Sequence, residues 1–430
     1  MRKRTPRNPV PVPNVKPKDD LMYQVRRYKV ITPLFGGGVQ PGKPDPVTIV
    51  RGTEIRGQLR FWWRATRGGQ FNGDLDAMRH AEEAIWGSVA AEGKAGPSKV
   101  TVEVIEWRRG EEWNRVPRGR GRLVHIAHPS SRYSYVAFPL REEQGSVWQD
   151  IEFTLKITYR RRDENVQVAG HKLSLADELE AASWAWETFG GIGARTRRGF
   201  GALHLVDVDG EPQSLVQPDR MRRHILDNLR KYVVQGSWPD GVPHLRQNMR
   251  FVVTSRFSDA DCAWKHLFQS LEKFRQARWP DAHGSPFGRS KWPEPDEIRR
   301  FTNMHSPDHK PTHPVRKFPR GYFGLPIVFQ FKDEESGDPP KTILEGREVE
   351  RFASRLILRP LAVQNGAVGL AAVLQGPQDP PGGYVLKRQQ DGAVIASVDA
   401  NLTRKESAQI KPLDGKTDVI EAFLTMLRKS

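Results

Sequence analysis

Residues 190–201 read GGIGARTRRGFG, with five glycines, three arginines and no acid; no regular helix or strand accommodates such a run. Glycine loses more backbone entropy on folding than any other residue, so its repeated use implies positive φ angles or close approach by another group. Exposed backbone N–H groups with arginines between them suit phosphate oxygens. The segment therefore predicts a loop in which Gly190, Gly191, Gly193 and Gly199 open the backbone and Arg195, Thr196, Arg197 and Arg198 donate to a polyanion.

Upstream, Ser174-Leu175-Ala176-Asp177 reads as a helix start, with Asp177 and Glu178 in the first turn. Leu175, Leu179, Ala182, Trp186 and Phe189 follow at helical spacing, and Gly190-Gly191 stops the helix. The loop thus leaves a helix C-terminus, whose dipole repels anions. It also lacks the G-x-x-x-x-G-K-[ST] order of a P-loop. Residues 202–206 then alternate as a short strand. The bland alternative is an arginine-decorated surface turn.

Residues 53–67 form the second informative stretch. On a helix, Ile55, Leu59, Trp62 and Trp63 share one face. Arg56, Arg60, Arg64 and Arg67 share another, and no acid occurs three or four residues from any of them. This predicts an unpaired basic ridge; a solvated helix face is the alternative. Gly57 inside the helix costs about 1 kcal/mol relative to alanine and leaves room for a close neighbour.

In chain order, residues 1–22 are a basic, proline-rich tail, either an RNA-binding arm or a solubilising segment. Residues 23–32 and 100–107 read as strands, 74–86 as a helix, and 151–159 as a cleanly alternating strand. The arginine-rich run 108–122 reads as a mobile hairpin tip or a weak RNA-binding loop. With the central helix and the strand after the loop, residues 23–208 read β-α-(α)-β-β-α-β, the ferredoxin-like order. Residues 209–248 read as a connector with one helix over 218–232. A second domain, 249–430, carries a strand at 251–254, a helix over 260–277, strands at 323–331, 356–359 and 368–374, and a last helix over 418–427. The loop 279–320 holds eight prolines and is long enough to be functional or disordered. The fold class expected is α+β, two ferredoxin-like (RRM-like) domains with insertions.

The formal charge of +17 over 430 residues points to a polyanionic partner. No cationic amphipathic helix with a bulky apolar face stands alone, so nucleic acid is expected over a membrane. The single cysteine, Cys262, cannot form an internal disulfide and suits a reducing compartment. No apolar run is long enough to span a bilayer, and a cytoplasmic location is expected.

One cysteine and no C-x-x-C exclude a thiolate zinc site. His305, His309 and His313 recur every four residues, but Pro307, Pro311 and Pro314 forbid the helix that would align them. No metal and no cofactor is expected. No carboxylate cluster suggests a two-metal site, and no histidine lies within the loop or the arginine helix. The reading is a non-catalytic RNA-binding protein in which Phe200 or Trp63 offers a stacking surface. Two rivals remain: a metal-independent endoribonuclease using His125, His128 or His171 as base, and a scaffold whose basic face meets acidic proteins.

The phrases TPLFGGG (residues 32–38), EIRGQLRFWWRA (54–65) and GGIGARTRRGFGAL (190–203), in this order, resemble the RAMP superfamily. Within it they are most similar to the first-numbered RAMP subunit of the type III-B CRISPR effector, the Cmr complex. The resemblance covers residues 23–206 and is weaker at 321–327 and 353–360. It implies two ferredoxin-like RAMP domains. It also implies contact with guide RNA (crRNA) near its 3′ end and with single-stranded target RNA, assembly with other Cmr RAMP subunits, and a role in antiviral defence without nuclease activity. Carried onto this chain, the implied RNA contacts are Arg195, Thr196, Arg197 and Arg198 in the loop and Arg56, Arg60 and Arg64 on the helix. No second glycine-rich loop is evident beyond residue 249. Guide-processing endoribonuclease activity is the alternative within the superfamily.

Overall fold

The computed structural model describes residues 20–429 apart from 41, 46, 89–95, 119–121, 142–144, 282–283, 285–287, 332–334 and 336. Most of the basic tail and the centre of the arginine-rich run at 118–122 lie outside the described residues.

Alternating apolar residues make Leu21–Val30 (β1) and Glu152–Arg160 (β3) half-buried strands. Between and after them come α1 (Gly52–Arg67), α2 (Leu75–Trp86), β2 (Val100–Arg108), α3 (Leu175–Phe189) and β4 (Leu203–Val208). The strands pair antiparallel in the order β4-β1-β3-β2. α1 and α3 pack on each other and share a core with Tyr28, Val30, Phe153, Leu155 and Ile157 of the sheet. Tyr28 stacks on its register partner Phe153 at 5.0 Å, and Trp186 of α3 meets it edge-on at 5.3 Å. Each such ring contributes roughly 2–3 kcal/mol on burial. Ser174 caps α3 by accepting from the Asp177 N–H, as the sequence suggested.

The expected connector is tied down. Its helix α4 (Met221–Tyr232) buries Met221, Ile225 and Leu229. Trp238 donates its Nε1–H to the Arg64 carbonyl at 2.8 Å and stacks on His244 at 4.4 Å. The flanking glycines are required, because a Cβ on Gly69 would lie 2.6 Å from the Trp238 ring.

The second half contains β5 (Phe251–Phe257), α5 (Ala260–Arg275), α6 (Glu294–Thr302), β6 (Leu356–Val363), β7 (Gly366–Val373) and α7 (Val419–Lys429), with sheet order β5-β7-β6. β6 and β7 are covered on both faces. Ile357, Leu361, Val368 and Leu370 join the core of the first half, while Leu356, Leu358, Ala371 and Val373 face Leu267, Leu271 and Phe423. This explains the runs LILRPLAV and GAVGLAAV, which show no alternation. β6 continues through Pro360 to Val363 rather than ending at Arg359, because it is an edge strand and proline is tolerated there. A separate four-stranded sheet joins Ile327–Phe329, Thr342–Gly346, Tyr384–Arg388 and Val394–Val398.

The proline-rich stretch 279–320 is not structureless. It contains α6, opened by Pro293 and Pro295 with Glu294, Asp296 and Glu297 in its first turn. Asp296 accepts the N–H groups of Thr312 and His313 at 2.9 and 2.8 Å, and Arg299 grips Asp338 with two bonds of 2.9 and 3.0 Å. These links join residues far apart in sequence, where no local period shows them.

Candidate nucleic-acid interface

The three phrases that carry the family resemblance meet in space. The Thr32 hydroxyl donates to the Gly199 carbonyl at 2.6 Å and accepts from the Ala202 N–H at 2.8 Å. The Ala194 N–H donates to the Phe35 carbonyl and the Gly201 N–H to the Pro33 carbonyl. Glu54, in the first turn of α1, accepts the Gly193 N–H at 2.5 Å, and Arg51 just before α1 donates to the Gly37 carbonyl.

These contacts correct the expected role of the glycines. A Cβ at Gly190 would lie 2.5 Å from Trp62 Nε1, at Gly191 2.6 Å from the Gly201 carbonyl, at Gly193 2.6 Å from Leu34, and at Gly199 2.5 Å from Trp264. Gly193 and Gly199 also have φ of +78° and +86°, where a side chain is strained. The glycines are explained by the chain folding on itself, without any ligand. Nor is the Gly193 N–H open to phosphate, since the Glu54 carboxylate already occupies it. Burial raises the Glu54 pKa, and the Gly193 N–H partly offsets that rise.

The loop arginines divide. Arg198 donates to the Phe323 carbonyl at 2.6 Å and the Leu356 carbonyl at 3.2 Å, and burial draws its pKa down to about 9. Its own carbonyl accepts from Trp264 Nε1 at 2.8 Å. Arg198 thus fastens the loop to the second half. Arg197 gives one bond, 2.6 Å, to the Ser354 carbonyl and lies 5.8 Å from the centre of the Phe61 ring. Arg195, at φ +58°, has a buried Nε without a hydrogen-bond partner. Among the described residues no carboxylate pairs with any of the three. Arg275 adds a further cation beside Arg195 and Arg198, donating to the Tyr135 hydroxyl at 2.8 Å, and its Nε is also unpartnered. Buried polar groups are seldom left unsatisfied, and like charges gathered without counter-charge favour an anion.

A fifth arginine locks the loop from behind. Arg359 of β6 is fully buried and donates to the carbonyls of Gly190 (2.7 Å) and Leu203 (2.9 Å), on either side of the loop. Burial draws its pKa down to about 9. At Gly190 it supplies the cation that a helix C-terminus favours. Sequence reading missed Arg359, although a lone arginine within LILRPLAV was the available signal. Arg275 and Tyr135 gave none.

The ridge on α1 is not unpaired. Arg60 and Arg64 both pair with Glu82 of α2, at 2.7 and 2.5 Å, and Arg67 pairs with Glu178 of α3 at 2.8 Å. Arg56 donates to the Trp86 carbonyl. The partners come from other helices, beyond the reach of an i±4 test. Arg60 and Arg64 stay about one-third exposed, at 34% and 31%, and share one carboxylate; this side keeps an excess cation. Phe200 and Trp63 are both 0% exposed, so neither offers a stacking surface. Phe200 packs 4.9 Å from Trp264, and Trp63 Nε1 donates to Glu178 at 2.5 Å.

The candidate histidines are dispersed. His125 and His128 accept N–H bonds within their own turn, and His171 meets the Phe71 ring at 5.0 Å. Ser306 and Asp338 both bond Nδ1 of His309, an arrangement that is no Ser-His-Asp relay, which needs both ring nitrogens. Among the described residues no group of three or more His, Cys, Asp or Glu could hold a metal ion, and no helix is long and apolar enough to cross a membrane.

Comparison with known proteins bears on this region. The CRISPR system Cmr subunit Cmr1-2 of Pyrococcus furiosus is 27% identical over 185 residues, 41% of this chain and 91% of that protein. Cmr subunit Cmr1-1 of the same organism is 24% identical over 173 residues, 38% of this chain and 42% of that protein. Among solved structures, a cryo-EM structure of the Type III-B Cmr-beta complex bound to cognate target RNA contains a chain that aligns over 94% of this one and 100% of itself. That match has 13% identity and a TM-score of 0.49. The crystal structure of apo Cmr1 from Pyrococcus furiosus aligns over 91% of this chain and 96% of that one, with 14% identity and a TM-score of 0.46. The RAMP superfamily model matches residues 27–204, the span that holds all three converging phrases.

Proposed function

We propose that this chain is a non-catalytic, cytoplasmic RNA-binding subunit of a type III-B CRISPR effector, touching guide RNA near its 3′ end and single-stranded target RNA beside other Cmr subunits. The observation that carries this reading is the group Arg195, Arg197 and Arg275, cationic, partly open to solvent and without a carboxylate partner among the described residues. Similarity to a Cmr subunit over 185 residues supports it, as does the net charge of +17. In this proposal Arg195, Thr196 and Arg197 meet the RNA backbone, with Arg60 and Arg64 at its flank. Arg198, Arg359 and the glycines position the loop.

The proposal takes both halves as ferredoxin-like RAMP domains, 23–208 and 249–430, joined by 209–248. The β5-β7-β6 order repeats β1-β3-β2 of the first sheet, with no counterpart of β4 among the described residues. The ribonuclease alternative has less support, since no histidine among the described residues hydrogen-bonds to the loop. The test is incubation of the purified chain with labelled guide-like and unrelated single-stranded RNA in EDTA across a salt series. Salt-sensitive retention of intact RNA supports a binding subunit. Cleavage at one position, lost on replacing a histidine, refutes it.

A further inference from the structure

Between α1 and the glycine-rich loop lies a cavity of about 220 Å³, smaller than the roughly 300–1,000 Å³ that encloses a drug-sized ligand. It is sized for one planar ring system. From α1 it is lined by Gly57, Gln58, Phe61 and Trp62, and from the loop by Thr196 and Arg197. Trp62 stands edge-on to Phe61 at 5.0 Å. Among the described residues, neither the Gln58 amide nor the Thr196 hydroxyl has a hydrogen-bond partner.

Gly57 is the informative residue. It sits inside a sixteen-residue helix, where glycine is unfavourable, yet a Cβ there would meet nothing within 4 Å. The fold does not require its bare backbone, in contrast to every glycine from 190 to 201. What the absent side chain preserves is free space at the rim of the cavity.

We propose that this cavity accepts one unstacked nucleobase of a bound single strand. This deepens the RNA-binding reading above and rests on it. The base lies against Phe61, with the Arg197 guanidinium at its side, and the Gln58 amide and Thr196 hydroxyl hydrogen-bond to its edge. Single-stranded RNA is recognised in this way, by bases turned out onto aromatic faces and read at their edges.

The test compares a short single-stranded RNA with an abasic ribose-phosphate strand of equal length and charge, binding to the full chain and to Gly57→Leu. Leucine is the better helix former at this exposed site, so Gly57→Leu folds; Phe61→Leu, which keeps apolar bulk, is the second variant. The expected result is about tenfold tighter binding of RNA than of the abasic strand by the unaltered chain. In both variants that preference falls to near one, with the salt slope unchanged. Equal affinity of the unaltered chain for the two strands, or a preference that survives both variants, overturns the pocket while leaving backbone binding intact. Binding of neither strand refutes the RNA reading itself.

Discussion

The loop arginines carry different duties, and replacing them separately should show it. Arg195 and Arg197 keep donors for phosphate, whereas Arg198 spends its guanidinium on the carbonyls of Phe323 and Leu356. Each phosphate contact on a single strand contributes about 0.7 to the slope of log affinity against log salt, so Arg195→Ala with Arg197→Ala should lower that slope by about 1.4. Over a fourfold rise in salt the double variant should then lose about sevenfold less affinity than the parent. Arg198→Ala should leave the slope unchanged and instead cost stability. Two enclosed carbonyls lose their donor at about 1–3 kcal/mol each, and removal of a desolvated cation returns part of this. A net loss of about 2–3 kcal/mol is expected. Fluorescence anisotropy with labelled single-stranded RNA reads the slopes, and urea unfolding reads the stability. An equal slope for parent and double variant, or a slope that falls in Arg198→Ala as much as in the pair, refutes this division.

Four further outcomes follow from the geometry. Gly201→Ala would place a Cβ 1.9 Å from the Ile192 carbonyl at φ +60°, and should cost more than about 2 kcal/mol in denaturant unfolding. Gly57→Ala, with open space around it, should stabilise by up to about 1 kcal/mol; equal effects would contradict both. Arg359→Met should strip the Gly190 and Leu203 carbonyls of their donor, so amide exchange across 190–203 should quicken, and unchanged protection would count against the lock. Glu54 is buried with its pKa raised by desolvation, so the folded state holds its proton to higher pH than the unfolded chain. Glu54 therefore costs stability as pH rises from the ordinary carboxylate range through its raised value. Glu54→Gln should gain on the parent through that interval and then level off; a flat difference in unfolding free energy refutes the assignment.

How much of this was readable in advance depends on the range over which each residue acts. The β-α-β-β-α-β order of residues 23–208 is written in alternation and helical spacing, and the caps at Asp74 and Ser174 are short-range bonds to N–H groups three residues on. The loop at 190–201 was legible as a break in regular structure. Its glycines looked like openings for a ligand because nothing in the sequence shows that Leu34, Trp62 and Trp264 would fill the space beside them. The α1 ridge looked unpaired because Glu82 and Glu178 are neighbours only after folding. Arg359, Arg275 and Tyr135 reach the site from more than fifty residues away in the chain, beyond any local pattern.

Because β6 lies against the loop and Arg359 and Arg198 tie the two together, the order in which the chain is made matters. The loop ends at residue 201, but the strand that sets it begins at Leu356, so 155 residues must still be added after the loop itself is complete. At about 5–20 residues per second this is a wait on the order of ten to thirty seconds. During that interval the first half can close its own sheet and helices, but the arginine-bearing turn lacks the Leu356 carbonyl and the Arg359 guanidinium that complete its docking. A chain cut short before β6 would therefore carry the proposed RNA-contact sequence without its geometry, and under that proposal completion of the distant half becomes a condition for the near half to engage RNA.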